Sequence, residues 1–138
     1  ISLIIPYLCT ILNSIIKMNT EAIKIYEKWT QMWNGNLDLA DEILSPTFKA
    51  HLTSDSTPPP APVIDIPSAK AWINTIRSKA DDLHYEIVLG PFRDEDFIAA
   101  YWRVTATLGD KKAVKVGTDF LKIKDGKITD CWTMNNRE

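Results

Sequence analysis

Apolar and polar residues alternate with a period of two through the last third of the chain. The run Asp96 to Thr107 pauses at Leu108-Gly109-Asp110-Lys111, resumes from Lys112 to Lys124, turns at Asp125-Gly126 and resumes to Asn135. Such alternation puts successive side chains on opposite faces of a strand, and Asp-Gly between two runs marks a tight hairpin. The pattern predicts an antiparallel meander. An earlier strand carrying Leu83, Tyr85, Ile87 and Leu89 joins it through a turn at Arg93-Asp94-Glu95-Asp96. From Phe97 to Thr107 the apolar parity is Ile98, Ala100, Trp102, Val104 and Ala106, while Tyr101, Arg103, Thr105 and Thr107 face solvent or a partner. In the last strand Ile128, Trp132 and Met134 share their parity with Asp130.

The first half changes period. Ala22, Ile25, Tyr26, Trp29, Met32 and Trp33 recur at three- and four-residue spacing, which predicts a helix capped by Asn19 or Thr20 and stopped at Asn34-Gly35. A short helix is expected from about Asp38 to Leu44, ending at Ser45-Pro46, because the residue before proline avoids the helical region. Thr47 to Leu52 reads as a short strand. Thr53 to Pro67 holds five of the eight prolines and reads as a stiff surface loop rather than a domain linker, since neither side alone completes a core. Ser68 then caps a third helix to about Ala80, with Ala69, Trp72, Ile73, Ile76 and Ala80 on one face. Helices first and long antiparallel strands after predict an α+β domain with its helices on one face of a curved sheet.

Residues 1–17 differ in character from the rest of the chain. Ile1 to Ile16 carry no charged side chain, yet the stretch is shorter than the ~20 apolar residues of a membrane helix and lacks the marks of a secretory signal. It reads as an apolar N-terminal extension to a domain spanning 18–138. Alternatively, Leu8, Leu12, Ile15 and Ile16 form a helical stripe opposite Thr10, Asn13, Ser14 and Lys17, with Pro6 in the first turn. Such a helix could cover an apolar patch or lie on a membrane surface, the one membrane contact the chain suggests.

Composition narrows the function classes. A formal net charge of −2 with no Lys/Arg cluster gives no footprint for nucleic acid. Two distant cysteines, Cys9 and Cys131, make neither a metal knuckle nor a disulfide framework, so free thiols in the reducing cytoplasm are expected, with no metal and no organic cofactor. Five tryptophans in 138 residues predict an aromatic interior, either solid core or pocket lining. Within it Asp119 shares the parity of Leu121 and Ile123, where a carboxylate is costly unless paired or used. Of the two histidines, His84 alternates with Glu86 on a polar face, and His51 ends a short strand with the parity of Lys49 rather than of Phe48 and Leu52.

Two series of residues carry a resemblance. Trp33-Asn34-Gly35, Leu37-Asp38, Asp41-Glu42, Leu44-Ser45-Pro46-Thr47-Phe48 and His51 form the first series. Gly117-Thr118-Asp119-Phe120, Lys122-Ile123-Lys124-Asp125-Gly126-Lys127-Ile128 and Trp132 form the second. Together, over roughly Ala22 to Asn135, they resemble SnoaL-like, polyketide cyclase-like proteins of the nuclear transport factor 2-like superfamily. The resemblance implies a cone-shaped α+β barrel: N-terminal helices on a strongly curved, mostly antiparallel sheet, a pocket at the open end, and a homodimer through the outer sheet face. It implies a small hydrophobic carbonyl compound as ligand, with Asp119 as candidate acid/base and His51 as its possible partner. Trp33, Tyr85, Trp102, Asp130, Trp132 and Met134 are the expected ligand-binding residues. This fold also hosts isomerases, hydrolases and plain binding or dimerisation modules, so whether the chain is an enzyme stays open. An epoxide-hydrolase-like site fits poorly, because Gly117 stands at its arginine position and Met134 at that of its second aspartate. A ketosteroid-isomerase-like arrangement would draw on Tyr26, Tyr85, Asp119 and Asp130. Catalytic cyclases often carry Gly-Thr-His ahead of the Asp119 strand; Ala106-Thr107-Leu108-Gly109 has no histidine, so a second polar group has to come from elsewhere.

Overall fold

The computed structural model describes residues 4–52 and 59–137. Helix α1 (Ile4–Trp33) leads to α2 (Leu39–Ile43), β1 (Leu44–Leu52), α3 (Ile66–Arg77) and four strands, β2 (His84–Asp94), β3 (Phe97–Leu108), β4 (Lys111–Lys124) and β5 (Lys127–Arg137). The five strands form one sheet in the order β1-β5-β4-β3-β2. Every neighbouring pair is antiparallel except β1 with β5, which run parallel. The helices cover one face, α1 along β2 and α3 beside β1.

The Asp-Gly hairpin forms as expected: Asp125 and Gly126 both take positive φ, 52° and 75°, the mirror-image turn that matches strand twist. Three departures from the sequence reading have physical causes. First, α1 does not begin at Asn19 or Thr20 but runs unbroken from Ile4, and the Thr20 hydroxyl donates back to the Ile16 carbonyl instead of capping. Side chains from Ile4 to Lys17 are exposed, and burial begins at Ala22. Second, α3 is capped by Asp65. Its carboxylate accepts from the Ser68 amide at 2.9 Å, Ser68 closes a capping box as the third residue, Pro67 sits in the first turn, and the helix stops at Arg77. Third, β1 starts at Leu44 and absorbs Pro46 in a register irregularity between Leu44 and Lys49, which an edge strand tolerates.

The first part of the proline-rich loop, 53–58, lies outside the described residues. From Pro59 it runs beside β1, where Val63 is buried and its carbonyl accepts from the Ala50 amide at 3.1 Å. The main core joins Ala22, Tyr26, Trp29, Met32 and Trp33 of α1 to Trp72 and Ile73 of α3, Phe48 of β1, and Ile98, Leu121, Ile128 and Cys131 of the sheet. Leu83, Trp102 and Val104 form a second, smaller cluster, with Tyr85 and Ile76 touching both. No helix among the described residues is long and apolar enough to cross a membrane.

Candidate functional site

Inner-face alternation on β4 buries Gly117, Asp119 and Leu121. Asp119 is the buried charged residue among the described ones, 6% exposed. Its carboxylate is held by two neutral side chains: Trp29 Nε1 donates to Oδ2 at 2.9 Å and Thr133 Oγ1 donates to Oδ1 at 2.8 Å. Thr133 is its cross-strand partner on β5, so the second bond follows from register, whereas Trp29 descends from α1. Burial pushes the Asp119 carboxyl above the ordinary carboxylate value. The bonds from Trp29 and Thr133, and the nearby Trp102 indole N–H, offset this only in part. A carboxyl with raised proton affinity and, among the described residues, no cation paired with it suits proton transfer at near-neutral pH.

Aromatic side chains pack together on the same inner face. Trp33 meets Trp29 at 6.0 Å, Trp72 at 4.6 Å and Tyr85 at 5.4 Å between ring centroids, and Tyr85 meets Trp102 edge-on at 5.5 Å. Among the described residues three buried donors here have no hydrogen bond of ordinary geometry: Tyr26 Oη, Trp33 Nε1 and Trp102 Nε1. Burial, with the Asp119 charge, raises the hydroxyl pKa of Tyr26 and of Tyr85, so both stay protonated and able to donate. Tyr85 is fixed by Asn34, whose side-chain amide donates to the Tyr85 carbonyl at 2.9 Å and accepts from its amide at 2.7 Å. Arg77 closes the same corner by donating to the carbonyls of Trp33 and Leu83.

The other expected site residues lie elsewhere. Between Lys122 and Ile123 the β4–β5 register slips, so that Ile123 pairs with Ile128 and Lys122 with Asp130. The extra residue, Thr129, is a β-bulge, and it inverts the parity after it. Ile128, Cys131 and Thr133 therefore face inward, while Asp130, Trp132 and Met134 face outward, which corrects the single parity read from the sequence. His51 pairs with Trp132 on that outer face, as its parity with Lys49 implied. It is not beside Asp119: its Nε2 bonds Asp130 Oδ2 at 2.8 Å, and its ring stacks on Trp132 at 4.6 Å and 9°. Burial is the largest single effect on Asp130 and raises it, but the His51 and Thr129 bonds, with the nearby His51 and Lys122 charges, together hold its carboxyl below the ordinary value. The inner group thus comprises Asp119, Trp33, Tyr85 and Trp102, and the outer group His51, Asp130, Trp132 and Met134.

The outer face also exposes Phe97 and Phe120, with Phe97 against Trp132 at 6.1 Å and Phe120 opposite Trp132 in register. Met134, 57% exposed, completes this apolar surface. At the β1 edge, Lys49–Leu52 and Pro59–Ile64 wall an open cleft of about 570 Å³. Among the described residues no group of three His, Cys, Asp or Glu side chains is placed to hold a metal. Both cysteines are free, Cys9 exposed and Cys131 buried against the Thr133 hydroxyl.

Sequence reasoning missed Trp29, Thr133 and Gly117. Trp29 sat in an apolar helix stripe where nothing distinguishes a packing indole from a donating one. Thr133 had the wrong parity until the bulge was known. Gly117 carried a signal, a glycine inside a strand, which marks close approach of another group.

Known proteins share this sequence pattern and this fold. The sequence profile of the SnoaL-like domain matches residues 26–131. A search of curated proteins found no match. Among solved structures, a candidate polyketide cyclase from Acidithiobacillus ferrooxidans is 22% identical over 85% of this chain and 89% of its own, with a TM-score of 0.73. Another, from Bacillus cereus, is 25% identical over 85% of this chain and 75% of its own, with a TM-score of 0.68. AclR from Streptomyces galilaeus, described as a candidate hydroxylase, is 16% identical over 87% of this chain and 81% of its own, with a TM-score of 0.70.

Proposed function

The chain belongs to the SnoaL-like family, and from that premise we propose that it binds a small hydrophobic carbonyl compound and moves a proton on it, as an isomerase or cyclase, with Asp119 as the acid/base. The observation that carries this reading is a carboxyl buried among neutral donors, raised in proton affinity and flanked by unpartnered buried N–H and O–H groups. A buried carboxylate is commonly paired with a cation. Among the described residues Asp119 is held by neutral donors alone.

The chemistry follows from the carboxylate. Asp119 takes a proton from the carbon beside a ketone: the C–H bond breaks, an O–H bond forms on Asp119, and the electron pair moves onto the carbonyl oxygen as an enolate. In an isomerisation the proton returns to another carbon. In a cyclisation the enolate carbon attacks a second carbonyl, and Asp119 protonates the alkoxide so formed. His51 takes no part in this reading, and neither do Asp130, Trp132 and Met134.

A test needs no knowledge of the natural substrate. Wild-type protein is incubated with 1-tetralone in D2O and α-proton exchange is followed by NMR. Exchange is expected to be accelerated, and Asp119→Asn to lose about a hundredfold or more of it. Equal exchange by wild type and variant would remove the acid/base role. A second reading, that the chain is an association module, is favoured by the outer apolar surface of Phe97, Phe120, Trp132 and Met134. We propose a homodimer through that face. Sedimentation at micromolar concentration checks it, and a clean monomer would remove it.

A further inference from the structure

Trp102 and Gly117 are directly opposite each other on β3 and β4, both on the inner face. Gly117 has an ordinary backbone conformation, so it is not glycine for the sake of a turn. It is glycine for space. A Cβ there would lie 2.7 Å from Trp102 Cη2 and 2.6 Å from the Met134 carbonyl, and closer still to Cζ2. The benzo edge of the indole thus rests on bare backbone, and Tyr85 meets the same indole edge-on. Together they fix the ring's place. Asp119 lies two residues along β4 from Gly117, a diagonal neighbour of Trp102 on the same face and within an indole's reach.

Trp102 is 7% exposed, and its Nε1 lies near enough to Asp119 to favour that carboxyl's charge yet completes no hydrogen bond of ordinary geometry. Such a buried donor costs roughly 1–3 kcal/mol if nothing ever meets it. The two other unpartnered donors differ. Trp33 is boxed by the rings of Trp29, Trp72 and Tyr85, and Tyr26, which also feels the Asp119 charge, sits in the helix-side core beside Cys131. Trp102 belongs instead to the smaller cluster, with Leu83 and Val104. Both carboxylate oxygens of Asp119 already accept a bond, from Trp29 and Thr133.

We propose that Trp102 Nε1 is the donor that receives the ligand's carbonyl oxygen beside Asp119, and that Gly117 is the positioning residue that sets it there. This rests on the acid/base reading and adds the group that would hold the enolate oxygen. Preorganised donors aimed at developing charge are a large part of such catalysis. An indole N–H donates only, so it selects an acceptor oxygen.

The probe is 2-naphthol, a planar aromatic whose oxygen resembles that of an enol and, when ionised, an enolate. Protein labelled with 15N in its tryptophans gives five indole N–H signals, and Trp102→Phe identifies the one from residue 102. That signal is expected to move downfield on adding 2-naphthol, and Trp102→Phe to weaken binding about tenfold. Should Trp102→Phe fail to fold, Gly117→Ala serves, because it displaces the same indole and its signal. Asp119→Asn, which loses proton exchange, should still shift the Trp102 signal. A bound probe that leaves the Trp102 signal unmoved overturns this proposal while leaving the Asp119 reading intact. No binding by wild type at millimolar probe likewise overturns this proposal, and tetralone exchange, read separately, decides the Asp119 reading.

Discussion

At the scale of one residue, Asp119 shows how burial and hydrogen bonding divide a single free energy. Burial penalises its charged form and the donors Trp29 and Thr133 restore part of it, with burial the larger. The folded carboxyl therefore binds its proton more tightly than the unfolded one. Its linkage favours folding below the unfolded pKa, and that stabilisation is lost as pH rises through the folded value. Asp119→Asn, which carries no charge at any pH, should therefore melt higher than wild type at about pH 8, with the gap closing toward about pH 4. Thermal unfolding across that range checks it, and a gap that widens in acid would contradict the sign. Thr133→Val keeps the shape and removes one donor, so the Asp119 pKa should climb. If the carboxylate is the base, the rising limb of the exchange-rate profile moves to higher pH.

At the scale of elements, α1, α3 and the hairpins were legible in the sequence because their periods and turn residues are local. The spacing of Tyr26, Trp29 and Trp33 or the pair Asp125-Gly126 is decided by near neighbours. What was not legible was decided across the fold. Thr129 bulges because β5 must keep Ile128 in the core and also turn Cys131 and Thr133 inward, and nothing within the run Lys127 to Asn135 announces it. That one extra residue moved Asp130, Trp132 and Met134 out of the expected pocket. Asn34 is the converse case: its place after α1 was foreseen as a helix stop, but its bonds to Tyr85 come from 51 positions away. Those two bonds lock the end of α1 to the start of β2. Asn34→Ala should cost about 2 kcal/mol, measured by urea unfolding, since both backbone groups of Tyr85 lose their partner. Asn34→Asp should not rescue it fully, because a carboxylate cannot donate to the Tyr85 carbonyl.

At the scale of the molecule, the sheet separates two kinds of surface. Its inner face holds a polar group among indoles, and its outer face presents Phe97, Phe120, Trp132 and Met134 with His51 and Asp130 paired beside them. Strand alternation makes the two independent in composition: Phe120 points out where Asp119 and Leu121 point in. An exposed aromatic surface on a sheet is a cost in water that a second copy would remove. If the outer face is the dimer surface, Phe120→Glu should give a monomer in sedimentation while tetralone exchange stays at the wild-type rate. The substitution sets a charge opposite Trp132 and touches none of the inner group. Monomer formation with exchange abolished would instead mean that the two faces are coupled through β4. A dimer unchanged by Phe120→Glu would place the contact elsewhere on the molecule, and the exposed half of α1, with Ile4, Leu8, Ile11 and Ile15 open to solvent, would become the surface to truncate next.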